Sequence, residues 1–225
     1  MKLKTFFLAG MVSAAGALAL PAADVFSVNA VGFVNITVPA AQFAIIANPL
    51  NSADNHLTNL LASAPSGVAV YRFDITRQGF STYNKSSRGW SGTGLDGKTS
   101  DQVIFNPGEA FFIYNPGASP IVFTFVGEVL QGTALTSSIP SGYSMLASVI
   151  PQSDKLQTAL GLPAVSGDVV YFFRGGGYVA ANKSSRGWSG TGVDASGEPV
   201  PGVGEGFFFF TASSKTWTRN FSANN

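Results

Sequence analysis

The residues most able to do chemistry in this chain come in pairs. The string NKSSRGWSGTG runs from Asn84 to Gly94 and again, without a difference, from Asn182 to Gly192. Each copy sets a guanidinium and an indole two residues apart, Arg88 with Trp90 and Arg186 with Trp188, beside the amides of Asn84 and Asn182. An exposed ring next to a cation and an amide can stack on a sugar or on an aromatic partner, so these six residues form the candidate ligand-binding set. The same spacing suits a second arrangement, in which each indole plugs the bottom of a folded unit while the arginine ties down the loop. Glu109 and Glu205 are another pair, each placed after a glycine and before a phenylalanine-rich run. Two carboxylates about 5 to 10 Å apart can hydrolyse a glycosidic bond. Carboxylates at equivalent positions of two copies can instead cap their own turns by accepting backbone N–H groups. Asp96, Asp101, Asp194 and Glu198 lie near the repeated strings, but their spacing does not make a calcium loop. No catalytic residue, metal site or cofactor is expected.

Composition narrows the classes further. The 225-residue chain has no cysteine and a single histidine, and 13 basic residues face 12 acidic ones. Thiol nucleophiles, disulfides and thiolate metal sites are therefore excluded. A histidine-based triad or a multi-histidine metal site lacks raw material. A balance this close to neutral gives no electrostatic hold on nucleic acid. At 45% hydrophobic residues, with 19 phenylalanines, the chain can bury a sizeable core.

Residues 1–23 read as a signal peptide. Lys2 and Lys4 precede an uncharged apolar stretch from Phe6 to Leu20, and small residues follow at Ala22 and Ala23. That stretch is shorter than the roughly 20 residues a spanning helix needs. The remainder is one unit written twice, at 24–127 and 128–225. Around the identical strings, Gly67-Val68-Ala69-Val70-Tyr71 parallels Gly167-Asp168-Val169-Val170-Tyr171, and Gly108-Glu109-Ala110-Phe111-Phe112 parallels Gly204-Glu205-Gly206-Phe207-Phe208.

The elements that must position these residues are short strands. Alternating or β-branched and aromatic runs at Val28–Val38, Phe43–Ala47, Val68–Phe73, Phe80–Tyr83, Ala110–Tyr114 and Ile121–Val126 are bounded by Gly, Pro, Asn or Ser. The second copy repeats them at Leu135–Ile139, Tyr143–Val149, Val169–Arg174, Tyr178–Ala181, Phe207–Thr211 and Trp217–Phe221. Leu57, Leu60 and Leu61 behind Asp54 predict one helical turn, and Leu156, Ala159 and Leu160 behind Asp154 predict its twin, stopped by Gly161. The polar, glycine-rich stretch from Asn84 to Asp101 reads as a long loop. The expected fold is all-β: two tandem homologous β-sandwich or barrel-like modules, each with one short helix. The run Phe207-Phe208-Phe209-Phe210 has rings on both faces, as has Phe111-Phe112-Ile113-Tyr114, so either the copies pack face to face over these strands or one face docks a neighbour.

Ser27-Val28-Asn29-Ala30-Val31-Gly32-Phe33-Val34-Asn35, Ile45-Ile46-Ala47-Asn48-Pro49-Leu50, Asn106-Pro107-Gly108-Glu109-Ala110-Phe111-Phe112 and Phe125-Val126-Gly127-Glu128-Val129 carry a resemblance. On these motifs the chain resembles a large group of secreted proteins of the Verrucomicrobia and related bacteria. The resemblance implies export and a β-rich surface module, with no activity attached. In the second copy the Asn-Pro pair is missing.

Together these features predict a secreted, non-enzymatic structural or adhesive protein of the cell surface or extracellular matrix, with the periplasm a further compartment it could occupy and self-assembly a further property. The alternative is a carbohydrate-binding module using the repeated Arg/Trp loops. Partners would be further copies of the chain, or a surface polysaccharide or protein; nucleic acid is not expected, nor a membrane span once the signal is removed.

Overall fold

The computed structural model describes residues 30–223. The expected signal peptide, Ser27–Asn29 of the first motif and the start of the strand expected from Val28 lie outside them. Among the described residues no helix is long and apolar enough to cross a membrane.

The chain forms two modules of one design. In the first, β2 (Gln42–Ala47), β3 (Ala69–Asp74), β4 (Gly79–Ser86), β5 (Gly89–Ser91) and β6 (Ala110–Asn115) make an antiparallel sheet ordered β2-β6-β3-β4-β5, and β1 (Val31–Val38) pairs with β7 (Ile121–Glu128) in a two-stranded ribbon. The second repeats this with β9 (Gly142–Leu146), β10 (Val169–Arg174), β11 (Gly177–Ser184), β12 (Gly187–Ser189) and β13 (Phe207–Thr211) in the order β9-β13-β10-β11-β12, beside the ribbon of β8 (Gly132–Ile139) and β14 (Lys215–Phe221). Ribbon and sheet enclose a core. Phe111 and Ile113 of β6 point into the first with Val70, Tyr83, Phe123 and Phe125, while Phe207 and Phe209 of β13 point into the second with Phe172 and Trp217. Strand side chains alternate between faces, so Phe112 and Phe208 must point the other way, away from their own cores.

The motif asparagines hold the loops. Asn48, fully buried, donates to Phe105 O at 2.8 Å and accepts from the Leu50 N–H at 3.2 Å, which closes a turn over Pro49. In the second module Ser148 Oγ takes the equivalent Ile150 N–H at 3.2 Å, so the missing Asn-Pro is replaced by a weaker form of the same turn.

Three expectations change. The stretch from Asn84 is not one long loop: β4 runs on to Ser86 and turns into β5, with Asn84 paired to Ser91 and Lys85 to Trp90. Its polar residues hid strand periodicity, because Asn84 and Ser86 lie on exposed positions while Lys85 covers the sheet edge. The first helix, α1 (Leu57–Leu60), has His56 at its N-cap position with no side-chain cap bond, and Asp54 stands outside the helix, where its Oδ1 accepts the His56 N–H at 2.9 Å. Its twin is a series of turns, so among the described residues only one module has a helix. There the Leu160 N–H reaches Lys155 O at 2.9 Å, five residues back, and Glu198 takes the Gln157 and Thr158 N–H groups at 3.0 and 3.1 Å. Leu156 and Leu160 are nonetheless buried as the helical spacing demands.

The two modules solve one packing position differently. Lys215 Nζ lies 2.6 Å from Asp168 Oδ2, with side chains 9% and 3% exposed. The pairing of β1 with β7 puts Ile121 opposite Val38, as Lys215 stands opposite Ile139. With Val68 in the place of Asp168, the first module fills this site with aliphatic groups. Removing one partner of a buried ion pair strands the other. Lys215→Met is expected to lower stability by about 3–5 kcal/mol, whereas Asp168→Val together with Lys215→Ile restores most of the loss; urea unfolding read by tryptophan fluorescence measures both.

Candidate functional site

The outward faces of the two sheets meet each other. Ile45, Ala47, Ala110 and Phe112 of the first module pack on Met145, Ala147 and Phe208 of the second, a third apolar cluster separate from the two module cores. The backbone joins across this junction in a reciprocal way. The Ala47 N–H donates to Gly204 O at 2.9 Å and the Ala147 N–H to Gly108 O at 2.9 Å; Ile46 bridges Glu205 as Leu146 bridges Glu109. Such reciprocity is the mark of an approximate twofold axis. One position breaks it: a Cβ on Gly206 would stand 2.5 Å from Ala110 Cβ and 2.6 Å from Ile45 Cγ2. Ala110 and Gly206 are equivalent, and there is room for one methyl between them.

Around the axis the rings obey the same symmetry. Phe112 and Phe208 meet at 6.2 Å between centroids. Phe73 stands edge-on to Phe208 at 5.1 Å, and Phe173 stands edge-on to Phe112 at 5.3 Å. Phe43 rests on Tyr114 at 4.6 Å, matched by Tyr143 on Phe210 at 5.0 Å. Offset and edge-on pairs of this kind contribute about 0.5–1.5 kcal/mol each beyond their buried area.

Two aromatic grooves flank this seam. A phenylalanine groove of about 360 Å³ is lined by Phe43, Tyr71, Phe80, Phe112 and Phe173. A tyrosine groove of about 620 Å³ is lined by Tyr143, Tyr171, Tyr178, Phe208, Phe73 and Gln78. The five ring positions correspond one to one, and each groove borrows one ring from the opposite module. Their openings are set by Phe43 and Phe80, 40% and 42% exposed, and by Tyr143 and Tyr178, 40% and 54% exposed. Burial raises the Tyr171 phenol above its ordinary value, with Tyr143 adding to it, and desolvation raises that of Tyr178. Both hydroxyls therefore remain neutral hydrogen-bond donors in mild alkali. Mostly aromatic cavities of this size with a few polar groups are the usual form of a small-ligand site.

The residues singled out by sequence lie elsewhere. β5 and β12 are the outermost strands of their sheets, at the edge remote from the junction. Trp90 packs against the first core and its indole N–H points to Leu61 O at 3.4 Å; Trp188 packs against the second and donates to Gln157 Oε1 at 2.9 Å. The ammonium of Lys85 sits 5.7 Å from the Trp90 ring and that of Lys183 5.5 Å from Trp188. Arg88 and Arg186 are exposed on the two-residue turns, where their backbone N–H groups are held by Ser86 and Ser184 Oγ, both at 3.2 Å. Asn84 and Asn182 are exposed one strand in from each edge. Each half of the six-residue set is thus together at one sheet edge, and neither half lines an aromatic groove.

The carboxylates are committed locally. Glu109 accepts the Asn106 N–H at 2.9 Å, while Glu205 accepts the Gly202 N–H at 2.7 Å and a two-point contact from Arg174 at 2.6 and 2.7 Å. Asp96 takes Arg72 at 2.7 Å; burial pushes its carboxyl up, but Arg72 and the Lys98 N–H outweigh this and hold it below the ordinary range. Asp101 accepts from Thr99 at 2.6 Å, and Asp194 accepts from the Ser196 hydroxyl and N–H.

The grooves were half-legible in the sequence. Two-sided strands such as Phe207–Phe210 announced a covered outer face, but the rings of β2, β3 and β4 carried no signal of convergence. Compared with protein families, curated proteins and solved structures, the chain matches none.

Gly206→Ala is expected to force the modules apart at the axis, costing about 1–3 kcal/mol; a thermal melt shows the loss, and adding Ala110→Gly in the same chain relieves part of it.

Proposed function

We propose that this is an exported, non-enzymatic adhesive protein that holds a surface polysaccharide in the two aromatic grooves at its module junction. The observation that carries the reading is the duplication of the groove itself, five aromatic positions repeated about one axis. Aromatic walls suit the apolar face of a pyranose, and the tyrosine hydroxyls of the larger groove add donors for sugar oxygens. Among the described residues, no carboxylate, imidazole or amine lines either cavity, which favours retention of a ligand over its cleavage. The twofold arrangement gives a chain of sugars two points of attachment on one protein, and a second engagement of this kind strengthens binding without new contacts. The Arg/Trp turns are the competing place for the same ligand class. A glycan array decides between them: Phe80→Ala with Tyr178→Ala is expected to abolish retention, and Trp90→Ala with Trp188→Ala to leave it within about twofold. The reverse pattern overturns the groove.

A second reading, self-assembly, draws on the ribbon of the first module. Val31, Phe33, Val122 and Val126 are exposed on its outer face, Phe33 to 70%. The equivalent positions of the second module are Gly132, Ala134, Thr216 and Asn220, so folding does not require the apolar set. A second copy of the chain is the occupant that fits this ribbon. Size-exclusion chromatography across about a hundredfold concentration range is expected to show a dimer that Phe33→Asn abolishes; a monomer at every concentration removes this reading.

A further inference from the structure

The ribbon of the second module leaves a strand edge open where the two copies differ. In the first ribbon the Val129 N–H donates to Ala30 O at 2.8 Å, and Asn51 and Glu128 exchange backbone bonds at 2.9 and 2.8 Å. Those bonds fix the parity: even-numbered residues of β1 bond to β7, and odd-numbered ones turn their N–H and C=O outward. The second ribbon keeps the register, with Lys215 opposite Ile139 as Ile121 is opposite Val38. Leu135, Ser137 and Ile139 therefore bond to β14, while Thr136 and Ser138 turn their backbone groups to the free edge. Among the described residues nothing bonds these four groups. β8 also has no charge and no proline, two of the usual guards of an edge. On β9 the protein does guard its edge: the carboxamide of Gln78, whose twin is Gly176, accepts the Tyr143 N–H and donates to Tyr143 O, both at 3.1 Å.

The free edge of β8 borders a groove of about 550 Å³. It is bounded by residues 135–138 of β8 and by the 106–109 turn of the first module, with Met145, Leu146 and Val149 as apolar lining. A difference between the copies opens it. In the first module Ile36 Cδ1 stands where a Cβ on Gly204 would, so the ribbon closes on the turn of the opposite module. Ser137 is the equivalent of Ile36, and a Cβ on Gly108 would meet Val149 and Ala147 rather than β8. The isoleucine that seals one half of the junction is thus missing from the other. Among the described residues Glu109 is the only charged one that lines the groove. Its Oε2 accepts the Asn106 N–H at 2.9 Å, and its Oε1 has no hydrogen-bond partner among the described residues. The twin, Glu205, uses both oxygens on the Arg174 guanidinium, whereas Arg72, whose charge Glu109 also feels, donates to Asp96 at 2.7 Å.

We infer that this groove takes an extended peptide segment of a partner protein, added as a strand to β8, with a branched aliphatic residue in the space left by Ser137 and a basic residue at Glu109. The inference goes beyond the polysaccharide reading and does not rest on it. Main-chain bonds to Thr136 and Ser138 hold the segment, and the two side chains give selectivity. A second copy of the chain fits worse. Each described strand already lies in a sheet or ribbon, and a ribbon added to β8 would meet the 106–109 turn, which a lone strand passes.

Fluorescence anisotropy on the full chain tests this with a labelled heptapeptide amide of threonines carrying isoleucine at its third position and arginine at its fifth, which puts both side chains on one face. Saturable binding is expected, weakened at least about tenfold by N-methylation of one alternate set of residues and little by that of the other. Glutamate in place of the arginine is expected to weaken it by a similar factor, and Glu109→Gln to remove that preference. Ser137→Ile, checked for an unchanged circular dichroism spectrum, closes the groove as Ile36 closes its twin and abolishes binding. Absence of binding, equal tolerance of both methylated sets, or unchanged binding in Ser137→Ile overturns the inference. So does a dimer in size-exclusion chromatography that Ser137→Ile dissociates, since a second copy then fills the groove.

Discussion

A strand that carries rings on both faces has to be covered twice. In β6 and β13 the alternation of side chains sends Phe111 and Phe207 into their own module cores and leaves Phe112 and Phe208 on the opposite face of the sheet. A single module could bury only the first set. A fully buried phenylalanine gains about 1.5–3 kcal/mol over an exposed one, and the ribbon of each module is already used on the inner side. The second copy supplies the missing cover, with Phe112 and Phe208 only 8% and 7% exposed at the seam. The remaining features of the molecule, from the cross-module backbone bonds to the paired grooves, are consequences of how two such faces are brought together.

Close approach at the axis sets the terms. Main chain meets main chain there, with Gly204 and Gly108 carbonyls accepting from the opposite module, and that leaves space for one methyl, held by Ala110, so that Gly206 has none. Away from the axis the faces touch through rings, and rings cannot fill the corners they leave. The two cavities are those corners. Their walls are held rigid by the sheets beneath and by edge-on partners at their sides, so a ligand would meet a surface with few rotamers left to freeze.

Differences between the copies show which parts of the design are free. The Asp168–Lys215 pair replaces Val68 and Ile121, and Arg219, which donates to Ala159 O at 2.9 Å and to Gln152, stands where the first module has Phe125. These exchanges alter polarity inside one module: the Asp168–Lys215 pair is matched within itself, whereas Arg219 keeps its buried Nε without a hydrogen-bond partner among the described residues. Gln78 and Gly176 differ at the junction instead, where the change alters the rim of a groove and leaves both cores untouched. The identical NKSSRGWSGTG strings, by contrast, fold into hairpins of the same register, with Ser86 and Ser184 bonding in the same way.

Much of this could be read from residues alone. Periodicity of two in Val31–Val38 and Ile121–Glu128, the identical strings and the two-sided aromatic runs determine two all-β modules and require a covered outer face, because alternation and burial are local properties of a strand. The short strands β5 and β12 escaped, since polar alternation at an exposed edge has no hydrophobic signature. So did the loss of the second helix, whose hydrogen bonds are claimed by Glu198 from a distant loop. Beyond the two-sided strands, the convergence of the site belongs to tertiary structure. Phe43, Phe80 and Phe173 are far apart in the chain, and only the sheet order and the twofold junction bring their rings to one cavity. The meaning of Gln78 is likewise invisible until its hairpin stands opposite Tyr143, because a hydrogen bond across modules depends on where two edges meet, and no sequence spacing encodes that.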